Sequence, residues 1–240
     1  MTKHVPIKTI DGVELLETAS AGIRRVRVSK PESKSELPWD RFVRLKATAE
    51  IVKDLVQSDS EVLDVGGYDG ALALFLPEYT FDLIDPATTG ASLLHEPAPD
   101  RSYDLVTAVD ILEHIVPADR QETLKELARI ARKYVVLNYP CTDSKSAQEL
   151  MLRLTKNSLI KEHVQWELPD SDWVVKSMKE LGYRSTVTPH TSVAVWLGQY
   201  LALNLLEEAS KALNQFLVEN HAGEPYGTPL YHLVVCERIV

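Results

Sequence analysis

Three glycines follow an apolar segment in the stretch EVLDVGGYDGALALF, residues 61–75. Glycine adopts positive φ angles and has no Cβ, so a ligand can pack directly on the backbone at Gly66 and Gly67. The helical pattern after the turn adds free N–H groups at a helix start. The next apolar segment ends in Asp85, about 20 residues later, where a carboxylate can accept both hydroxyls of a ribose. This spacing predicts a cofactor that contains a nucleoside.

The glycine spacing argues against a dinucleotide cofactor. The dinucleotide pattern G-x-G-x-x-G, counted from Gly66, places Tyr68 and Ala71 at its two later glycine positions. A pyrophosphate that approached this turn would meet the Tyr68 side chain. A nicotinamide oxidoreductase is therefore a weakened alternative.

Segments of strand length alternate with segments of helical periodicity through the middle of the chain. The predicted strands and helices are, in order, strand Glu61–Val65, helix Ala71–Phe75, strand Thr80–Ile84, strand Tyr103–Val109, helix Ala118–Arg132 and strand Tyr134–Leu137. This alternation predicts an α/β fold with a doubly wound, mostly parallel sheet covered by helices on both faces. Ligands of such sheets lie beyond the carboxyl ends of the strands, which is where the glycine turn falls.

The length and composition predict one main domain with additions. The 240 residues, 45% of them hydrophobic, suffice for one substantial core. Residues 1–38 are expected to form an N-terminal β element, with a hairpin turn at Asp11-Gly12, and a polar linker over Ser29–Pro38. Residues 39–240 form the principal domain, which begins with a helix over Trp39–Val56 and has helical additions at 144–169 and 191–221.

The net charge of −9 disfavours a nucleic-acid substrate, because proteins that bind phosphate backbones usually have a basic surface. The basic cluster Ile23–Lys30 is interleaved with apolar residues and is interpreted as an exposed strand face. Cys141 and Cys236 lack metal-ligand spacing and predict free thiols, with no metal site. No segment resembles a signal peptide or reaches the ~18 apolar residues that a membrane span requires, so we expect a cytoplasmic protein.

Three segments together carry a family resemblance: VLDVGGYDGALALFLP, FDLIDP, and Pro99–Pro140, which contains SYDLVTAVDILEHIV. They resemble the class I S-adenosylmethionine-dependent methyltransferases, in the branch with an LEH turn after the family's fourth strand. The resemblance covers about residues 60–140. It implies a Rossmann-like sheet, S-adenosylmethionine as cofactor, and an enzyme that transfers a methyl group.

The resemblance also implies roles for individual residues. Asp64 would help to hold the methionine portion of the cofactor, the Gly66-Gly67 backbone would approach the cofactor, and Asp85 would bind the ribose. Asp110 and Ile111 would line the pocket around the methionine and the transferable methyl group. The structural alternatives are helix caps for Asp64 and Asp110, and a simple turn aspartate for Asp85.

Two positions depart from the family pattern. Tyr68 replaces the common central glycine of the turn, so either the turn has another shape or the ring packs along the cofactor. Ser92 stands where the family often has an acidic residue near the adenine. Adenine recognition therefore cannot depend on a carboxylate at that position.

Methyl transfer requires positioning more than acid–base chemistry, because the cofactor already carries the activated methyl group. A general base accelerates transfer to an alcohol or phenol by ~10²–10⁴-fold, and a neutral amine or a thiolate can react without one. His114, in the turn that faces the cofactor, and His163, in the first helical addition, are the candidate catalytic residues. For both, a histidine that caps a helix or bonds a backbone carbonyl is the structural alternative.

The sequence thus predicts a methyltransferase for a small molecule or a carrier- or lipid-linked glycan intermediate. A non-catalytic cofactor-binding or assembly subunit with a degenerate site is the alternative. The apolar addition at 191–221 is predicted to cover one side of the acceptor pocket. A core-packed helix pair, or one that forms a homodimer, is the structural interpretation of the same segment.

Overall fold

The computed structural model describes residues 10–95, 98–223 and 227–239. The strands are β1 Val13–Glu17, β2 Arg24–Val28, β3 Glu61–Val65, β4 Thr80–Ile84, β5 Tyr103–Val109, β6 Ala131–Pro140, β7 Tyr183–Ser192 and β8 Pro229–Arg238. The α-helices are α1 Trp39–Leu55, α2 Pro117–Ile130, α3 Lys145–Thr155, α4 Ser158–Gln165, α5 Ser171–Glu180, α6 Val193–Leu205 and α7 Glu207–Asn220. Short 3₁₀ turns occupy Pro31–Glu36, Ala71–Phe75, Leu112–His114 and Thr142–Ser144. Within these ranges, no helix has both the length and the apolar character needed to cross a bilayer.

The strands form a sheet in the order β1-β2-β4-β3-β5-β6-β8-β7. Strands β4, β3, β5 and β6 are parallel, whereas β2 pairs with β4 and β8 pairs with β6 in antiparallel fashion. The predicted parallel sheet is confirmed for these central strands and does not extend to the outer ones. Because parallel strands bring their carboxyl ends to one edge, the segments after β3, β4 and β5 meet there.

Helices cover both faces of the sheet, as the prediction of a doubly wound fold requires. On one face, Leu63 and Val106 of the sheet pack with residues of α2 and α5. On the other face, Val62 and Leu105 pack with α1 and the 3₁₀ turn Ala71–Phe75. Both faces are therefore buried, which explains why the central strands are apolar throughout.

The N-terminal hairpin turns at a different place from the predicted one. Strands β1 and β2 pair with Glu17 opposite Arg24, so the turn spans residues 18–23. Gly12, in the predicted turn, precedes β1 instead, and its carbonyl accepts a hydrogen bond from the Ser29 amide at 2.8 Å. Residues 1–9 of the predicted β element lie outside the described residues.

The basic residues of β2 are used in ion pairs. Arg24, Arg25 and Arg27 pair with carboxylates on neighbouring strands or turns, namely Glu17, Asp82 and Glu14 respectively. The cluster lies on a strand, as predicted, and its charges already have partners.

Three elements differ in extent or type from the prediction. The segment Ala71–Phe75 was predicted as a helix and is a 3₁₀ turn. All five of its side chains are buried, so it has no solvent-exposed face. The predicted helix Ala118–Arg132 begins at Pro117, whose fixed φ suits a first helical turn, and ends two residues earlier. Strand β6 is longer than the predicted Tyr134–Leu137 because it pairs with β8 as well as with β5.

The two helical additions pack together beside α1. Helices α3 and α4 form the first addition, and α6 and α7 form the second. A core cluster joins them, and its buried members are Trp39, Val43, Ala147, Met151, Ile160, Trp196, Leu217, Leu230 and Tyr231. The helix pair α6–α7 is thus part of the packed protein.

The side chain of Asn214 in α7 allows a test of this packing. Its Oδ1 accepts a hydrogen bond from the Trp39 amide at 2.6 Å, and its Nδ2 donates to the Leu37 carbonyl at 3.0 Å. We expect Asn214→Ala to lower the free energy of unfolding by about 1–3 kcal/mol, because buried backbone groups at the start of α1 lose their partner. Asn220→Ala removes only an exposed bond within the same helix and is the matched control, expected within about 0.5 kcal/mol of wild type. Equal free energies of unfolding for the two variants in urea would show that the contact of α7 with the start of α1 does not stabilise the fold.

Candidate active site

A cavity of about 490 Å³ opens at the carboxyl ends of β3, β4 and β5. This volume lies in the range of ~300–1,000 Å³ that is typical of cofactor and small-molecule sites. The residues that line it are Val65, Gly66, Ile84, Asp85, Pro86, Ser92, Leu93, Leu94, Asp110, Ile111, His114, Ile115, Val116, Asp119 and Thr123. Apolar side chains and carboxylates dominate the wall, and none of the lining residues is lysine or arginine.

The glycine turn lies against its surroundings so closely that no Cβ fits. Gly66 has φ +68°, and a Cβ there would lie 2.3 Å from Ile111 Cδ1. A Cβ at Gly67 would lie 2.0 Å from Asp64 Oδ2. The Gly66 amide donates to the Ile84 carbonyl at 2.7 Å, which fixes the turn against the end of β4. Gly66 is therefore favoured by its backbone conformation, and a side chain at either position would have to displace Ile111 or Asp64.

Asp85 organises the segment after β4 from its place in the cavity wall. Its Oδ1 accepts from the amides of Ala87 at 2.8 Å and Thr88 at 3.1 Å, and its Oδ2 accepts from the Tyr68 amide at 3.1 Å. Asp85 therefore stabilises the turn through these amides, as the structural alternative states. Because a carboxylate oxygen has two lone pairs, Oδ1 is fully used by these bonds, whereas Oδ2 retains acceptor capacity.

Asp110 follows β5 in a left-handed conformation, with φ 55°. Its amide donates to the Asn138 carbonyl at 2.8 Å, and its Oδ2 lies 2.7 Å from an Arg44 guanidinium nitrogen. Its Oδ1 is buried and has no hydrogen-bond partner among the described residues. One oxygen of Asp110 is thus held in place while the other can accept a ligand.

His114 and His163, which are 49 residues apart in sequence, lie side by side. Their Nε2 atoms are 3.3 Å apart, and the ring centroids are 4.8 Å apart. Glu162 Oε2 lies 2.7 Å from His114 Nδ1, and Gln148 Oε1 lies 3.2 Å from His163 Nδ1. Burial, with smaller effects from His114 and Arg44, lowers the pKa of His163 to about 3, so this imidazole is neutral.

Glu113 lies between Leu112 and His114 and is fully buried, at 0% exposure. Neither carboxylate oxygen has a hydrogen-bond partner among the described residues. Burial, and then the charge of Asp110, raises the pKa of Glu113 well above its ordinary value. A buried carboxyl group without a partner is unusual and calls for a functional explanation.

Arg120 attaches the first helical addition to this turn. Its side chain donates to the Ile115 carbonyl at 3.1 Å, and to the carbonyls of Trp166 at 3.0 Å and Glu167 at 2.6 Å. The end of α4 is thereby fixed beside the LEH turn. This contact explains how a helix outside the sheet brings His163 to His114.

The comparison with known families decides the identity of the fold. A family model described as a methyltransferase domain matches residues 39–184, which is more than half of the chain. The chain belongs to the methyltransferase domain family. It is therefore an enzyme with the fold of the S-adenosylmethionine-dependent methyltransferases and with S-adenosylmethionine as its cofactor.

Solved methyltransferase structures share this fold at low sequence identity. An S-adenosylmethionine-dependent methyltransferase from Thermotoga maritima, a candidate histamine N-methyltransferase, is 14% identical over 84% of this chain and 95% of its own, with a TM-score of 0.53. A candidate sarcosine dimethylglycine methyltransferase from Galdieria sulphuraria is 14% identical over 82% of this chain and 84% of its own, with a TM-score of 0.52. Magnesium protoporphyrin IX methyltransferase from Synechocystis, solved with S-adenosylhomocysteine, is 13% identical over 83% and 86%, with a TM-score of 0.51. No curated protein shows significant similarity to the sequence.

The methyltransferase cavity contains five of the predicted site residues, namely Gly66, Asp85, Asp110, Ile111 and His114. Four lie behind or beside it: Asp64, Gly67, Tyr68 and His163. Asp64 was predicted to hold the methionine portion, but it lies under the turn, where its carboxylate faces Gly67 and accepts from Thr107 Oγ1. The Tyr68 ring, which was expected along the cofactor or else to mark another turn shape, does not line the cavity and is 41% exposed.

The second helical addition is placed differently from the prediction. None of its described residues within 191–221 lines the cavity. The apolar side chains of α6 and α7 pack on α1, α3 and β8 instead, which is the core-packed interpretation. The first addition does not line the cavity either, but Glu162 and His163 of α4 contact the cavity residue His114.

Several residues at the site were not singled out from the sequence, namely Arg44, Glu113, Gln148 and Glu162. Glu113 lies within the quoted LEH turn. An acidic residue between apolar neighbours could have indicated a site residue there. The other three belong to amphipathic helices, where a charged or amide side chain is ordinarily solvent-exposed. Only the packing of those helices on the sheet brings them to the site.

The buried carboxyl of Asp64 predicts a pH-dependent stability. Burial raises the pKa of Asp64 to about 7 from an ordinary value of 3.8. The contribution of this group is fully present below about pH 4, where folded and unfolded chains are both protonated. The contribution of Asp64 to the free energy of unfolding falls by as much as about 4 kcal/mol as the pH rises through 7. The reason is that the carboxyl group ionises more easily in the unfolded chain than in the folded one. Asp64→Asn has no such loss, so its free energy of unfolding without cofactor should rise relative to wild type between about pH 4 and pH 8. A difference that does not change with pH would contradict this account of Asp64.

The left-handed backbone of Tyr68 predicts that glycine stabilises the turn. Tyr68 has φ 55°, which a residue with a Cβ adopts at a free-energy cost of about 1 kcal/mol. Since the ring is 41% exposed, its removal loses little burial. Tyr68→Gly should therefore raise the free energy of unfolding by about 1 kcal/mol in urea denaturation. Tyr68→Ala keeps the Cβ and is the matched control, for which we expect no gain; an equal gain in both variants would exclude backbone strain as the cause.

Proposed function

We propose that this methyltransferase acts on a small molecule, or on a carrier- or lipid-linked glycan intermediate, and not on nucleic acid. The composition of the cavity wall carries this proposal, because none of the described lining residues is lysine or arginine. A nucleic-acid substrate needs lysine or arginine to neutralise its phosphates. The net charge of −9 and the ion-paired arginines of β2 support the same conclusion.

The residues at the cavity fit the cofactor of the family. The crowded turn at Gly66 offers bare backbone, and Asp85 retains acceptor capacity for ribose hydroxyls. The unpartnered Asp110 Oδ1 can accept a hydrogen bond from the amino group of the methionine portion. Ile111, which packs on Gly66, supplies an apolar wall beside it.

S-adenosylmethionine, when bound, supplies a methyl group that its sulfonium makes electrophilic. The tasks left to the protein are to hold the acceptor in line with that group, to exclude water and to let the acceptor lose its proton. His114 is placed for the last task because it lines the cavity and Glu162 fixes its ring. His163 acts behind it, since its ring contacts His114 and does not line the cavity.

The alternative of a non-catalytic subunit with a degenerate site would have Tyr68 narrow the pocket and the late helices bind a partner. The ring lies outside the cavity wall, so the cavity keeps its volume of about 490 Å³. No feature of the wall therefore favours a degenerate site over an active one.

The carboxylate of Asp85 tests the cofactor site. S-adenosylhomocysteine should raise the melting temperature of the protein and NAD should not, because ligands stabilise only the state that binds them. Asp85→Asn should weaken S-adenosylhomocysteine binding in calorimetry by about 1–3 kcal/mol, since one charged acceptor is lost.

The matched control is Asp82→Asn, which removes a buried carboxylate of β4 that does not line the cavity. This variant should bind the cofactor product normally. Stabilisation by NAD equal to that by S-adenosylhomocysteine, or equal affinities of the Asp85 and Asp82 variants, would contradict the assignment.

A further inference from the structure

Three side chains beside the cavity direct ligand atoms into one space. A carboxylate oxygen of Glu113 and a ring nitrogen each of His114 and His163 all lie within 4.8 Å of one another. Glu113 and His114 belong to the turn after β5, and His163 belongs to α4. We refer to these three residues as the Glu113–His114–His163 cluster.

The hydrogen bonds of the two histidines determine where their lone pairs are. A carboxylate accepts only, so His114 Nδ1, at 2.7 Å from Glu162 Oε2, carries a proton. His163 Nδ1 likewise donates to Gln148 Oε1 at 3.2 Å. With both Nδ1 atoms used in these bonds, the two Nε2 atoms face each other at 3.3 Å. The space between them holds either a shared proton or a metal ion, because the Nε2 lone pair of a neutral imidazole is a metal ligand.

The carboxyl group of Glu113 lies in the same space. It is 0% exposed, and both oxygens are without a hydrogen-bond partner in the described part of the chain. The two arginines nearby are engaged elsewhere, because Arg120 donates to backbone carbonyls and Arg44 contacts Asp110 and Tyr231. The Glu113 oxygens are therefore available as ligands for a cation.

We propose that the Glu113–His114–His163 cluster binds one divalent first-row transition-metal ion, of which Zn²⁺ is the reference case. Two nitrogens that each lie ~2.0–2.1 Å from one zinc ion at a near-tetrahedral angle are about 3.3 Å apart, which is the separation seen here. Imidazole with carboxylate suits zinc, cobalt or manganese better than magnesium or calcium. The bonds from Glu162 and Gln148 to the distal nitrogens are the outer-shell contacts that orient metal-binding histidines. This proposal replaces the sequence-based expectation of no metal site, which considered cysteine spacing alone.

The position of the cluster indicates what the ion would do, and this step rests on the proposed function. Three protein ligands leave at least one coordination position open. Because His114 lines the cavity, that position faces the acceptor. A hydroxyl group bound there would become more acidic and would release its proton to solvent, so that its oxygen is the nucleophile. His114 would then promote loss of the proton as a ligand of the ion and not as the base itself. The acceptor is accordingly a compound that presents a hydroxyl group.

A second group of potential ligands provides the control. Atoms of Cys141, Asp143 and His232 also lie within 4.8 Å of one another. These groups already have partners, since the Cys141 thiol donates to the Pro229 carbonyl at 3.3 Å and His232 Nδ1 is 2.7 Å from Ser171 Oγ. Burial also raises the pKa of the Cys141 thiol to about 11, which disfavours the thiolate that a metal requires. We expect this group to bind no ion.

The test uses the full-length protein after treatment with a chelator, titrated with Zn²⁺ by calorimetry and with Co²⁺ by visible absorption. We expect one ion per chain and the intense d–d bands of four- or five-coordinate Co²⁺. His163→Asn and Glu113→Gln should weaken binding at least about tenfold, and Glu162→Gln about 10–100-fold. His232→Asn should bind as wild type does. Addition of acetohydroxamate, a chelating probe for open positions, should change the Co²⁺ spectrum.

Glu113→Gln keeps the shape of the side chain, so its metal-free melting temperature should not fall, and this result separates loss of a ligand from loss of the fold. Absence of saturable binding in wild type would overturn the proposal and leave a hydrogen-bonded histidine pair only. Loss of the ion in His232→Asn but not in His163→Asn would also overturn it, because the ion would then lie at the second group.

Parallel titration with S-adenosylhomocysteine distinguishes the two proposals, because a protein that binds this ligand but no metal contradicts only the metal site. A Co²⁺ spectrum that does not change when acetohydroxamate is added would overturn the proposed role of the ion in acceptor binding.

Discussion

The half-buried ion pair between Arg44 and Asp110 is the contact on which the site depends. Arg44 lies 2.7 Å from Asp110 Oδ2, 3.3 Å from Asp40 Oδ2 and 3.1 Å from the Tyr231 hydroxyl. One guanidinium thus joins α1, the end of β5 and β8. Removal of one partner from such a pair is strongly unfavourable, because it leaves a buried charge without compensation. The pair therefore fixes the position of α1 over the sheet edge and holds Asp110 in its left-handed conformation.

The backbone that follows Asp110 transmits this constraint to the rest of the site. Ile111 closes over Gly66, and the next turn presents Glu113 and His114 towards the helical addition. Arg120 then fixes the end of α4 to the same turn, so His163 arrives from outside the sheet. In the proposed function, the sheet edge supplies the cofactor side and the first addition supplies the residues behind His114.

The features of the cofactor site that could be predicted from the sequence are those that depend on local backbone chemistry. The glycine turn, Asp85 and Asp110 each follow a strand, and the strand pattern alone places them at one edge. The failures depend on packing. Asp64 could not be assigned to the underside of the turn, because strand alternation gives the face of a side chain but not the loop that covers it. The hairpin turn was placed at Asp11-Gly12 on turn propensity, whereas the register of β1 with β2 decides it.

The helical additions show the same limit. Their helical character was predictable from periodicity, but which of the two would contact the site residue His114 was not. The more apolar pair, α6–α7, packs into the core, and the shorter α3–α4 pair carries Gln148, Glu162 and His163 to the site. His114 and His163 were both candidates, yet their contact at 3.3 Å depends on the docking of α4. The proposed metal-ligand arrangement could not be predicted from the sequence because its histidines are 49 residues apart.

The central claim is that the cavity and the histidine pair form a single active site. The most direct measurement is a crystal structure of the protein grown with S-adenosylhomocysteine and Zn²⁺, with anomalous diffraction recorded at the zinc edge. The account predicts the ligand in the cavity with its ribose hydroxyls on Asp85, and one anomalous peak ~2.0–2.1 Å from the Nε2 atoms of His114 and His163. A ligand bound elsewhere, or a cavity filled without an anomalous peak at these nitrogens, would contradict it.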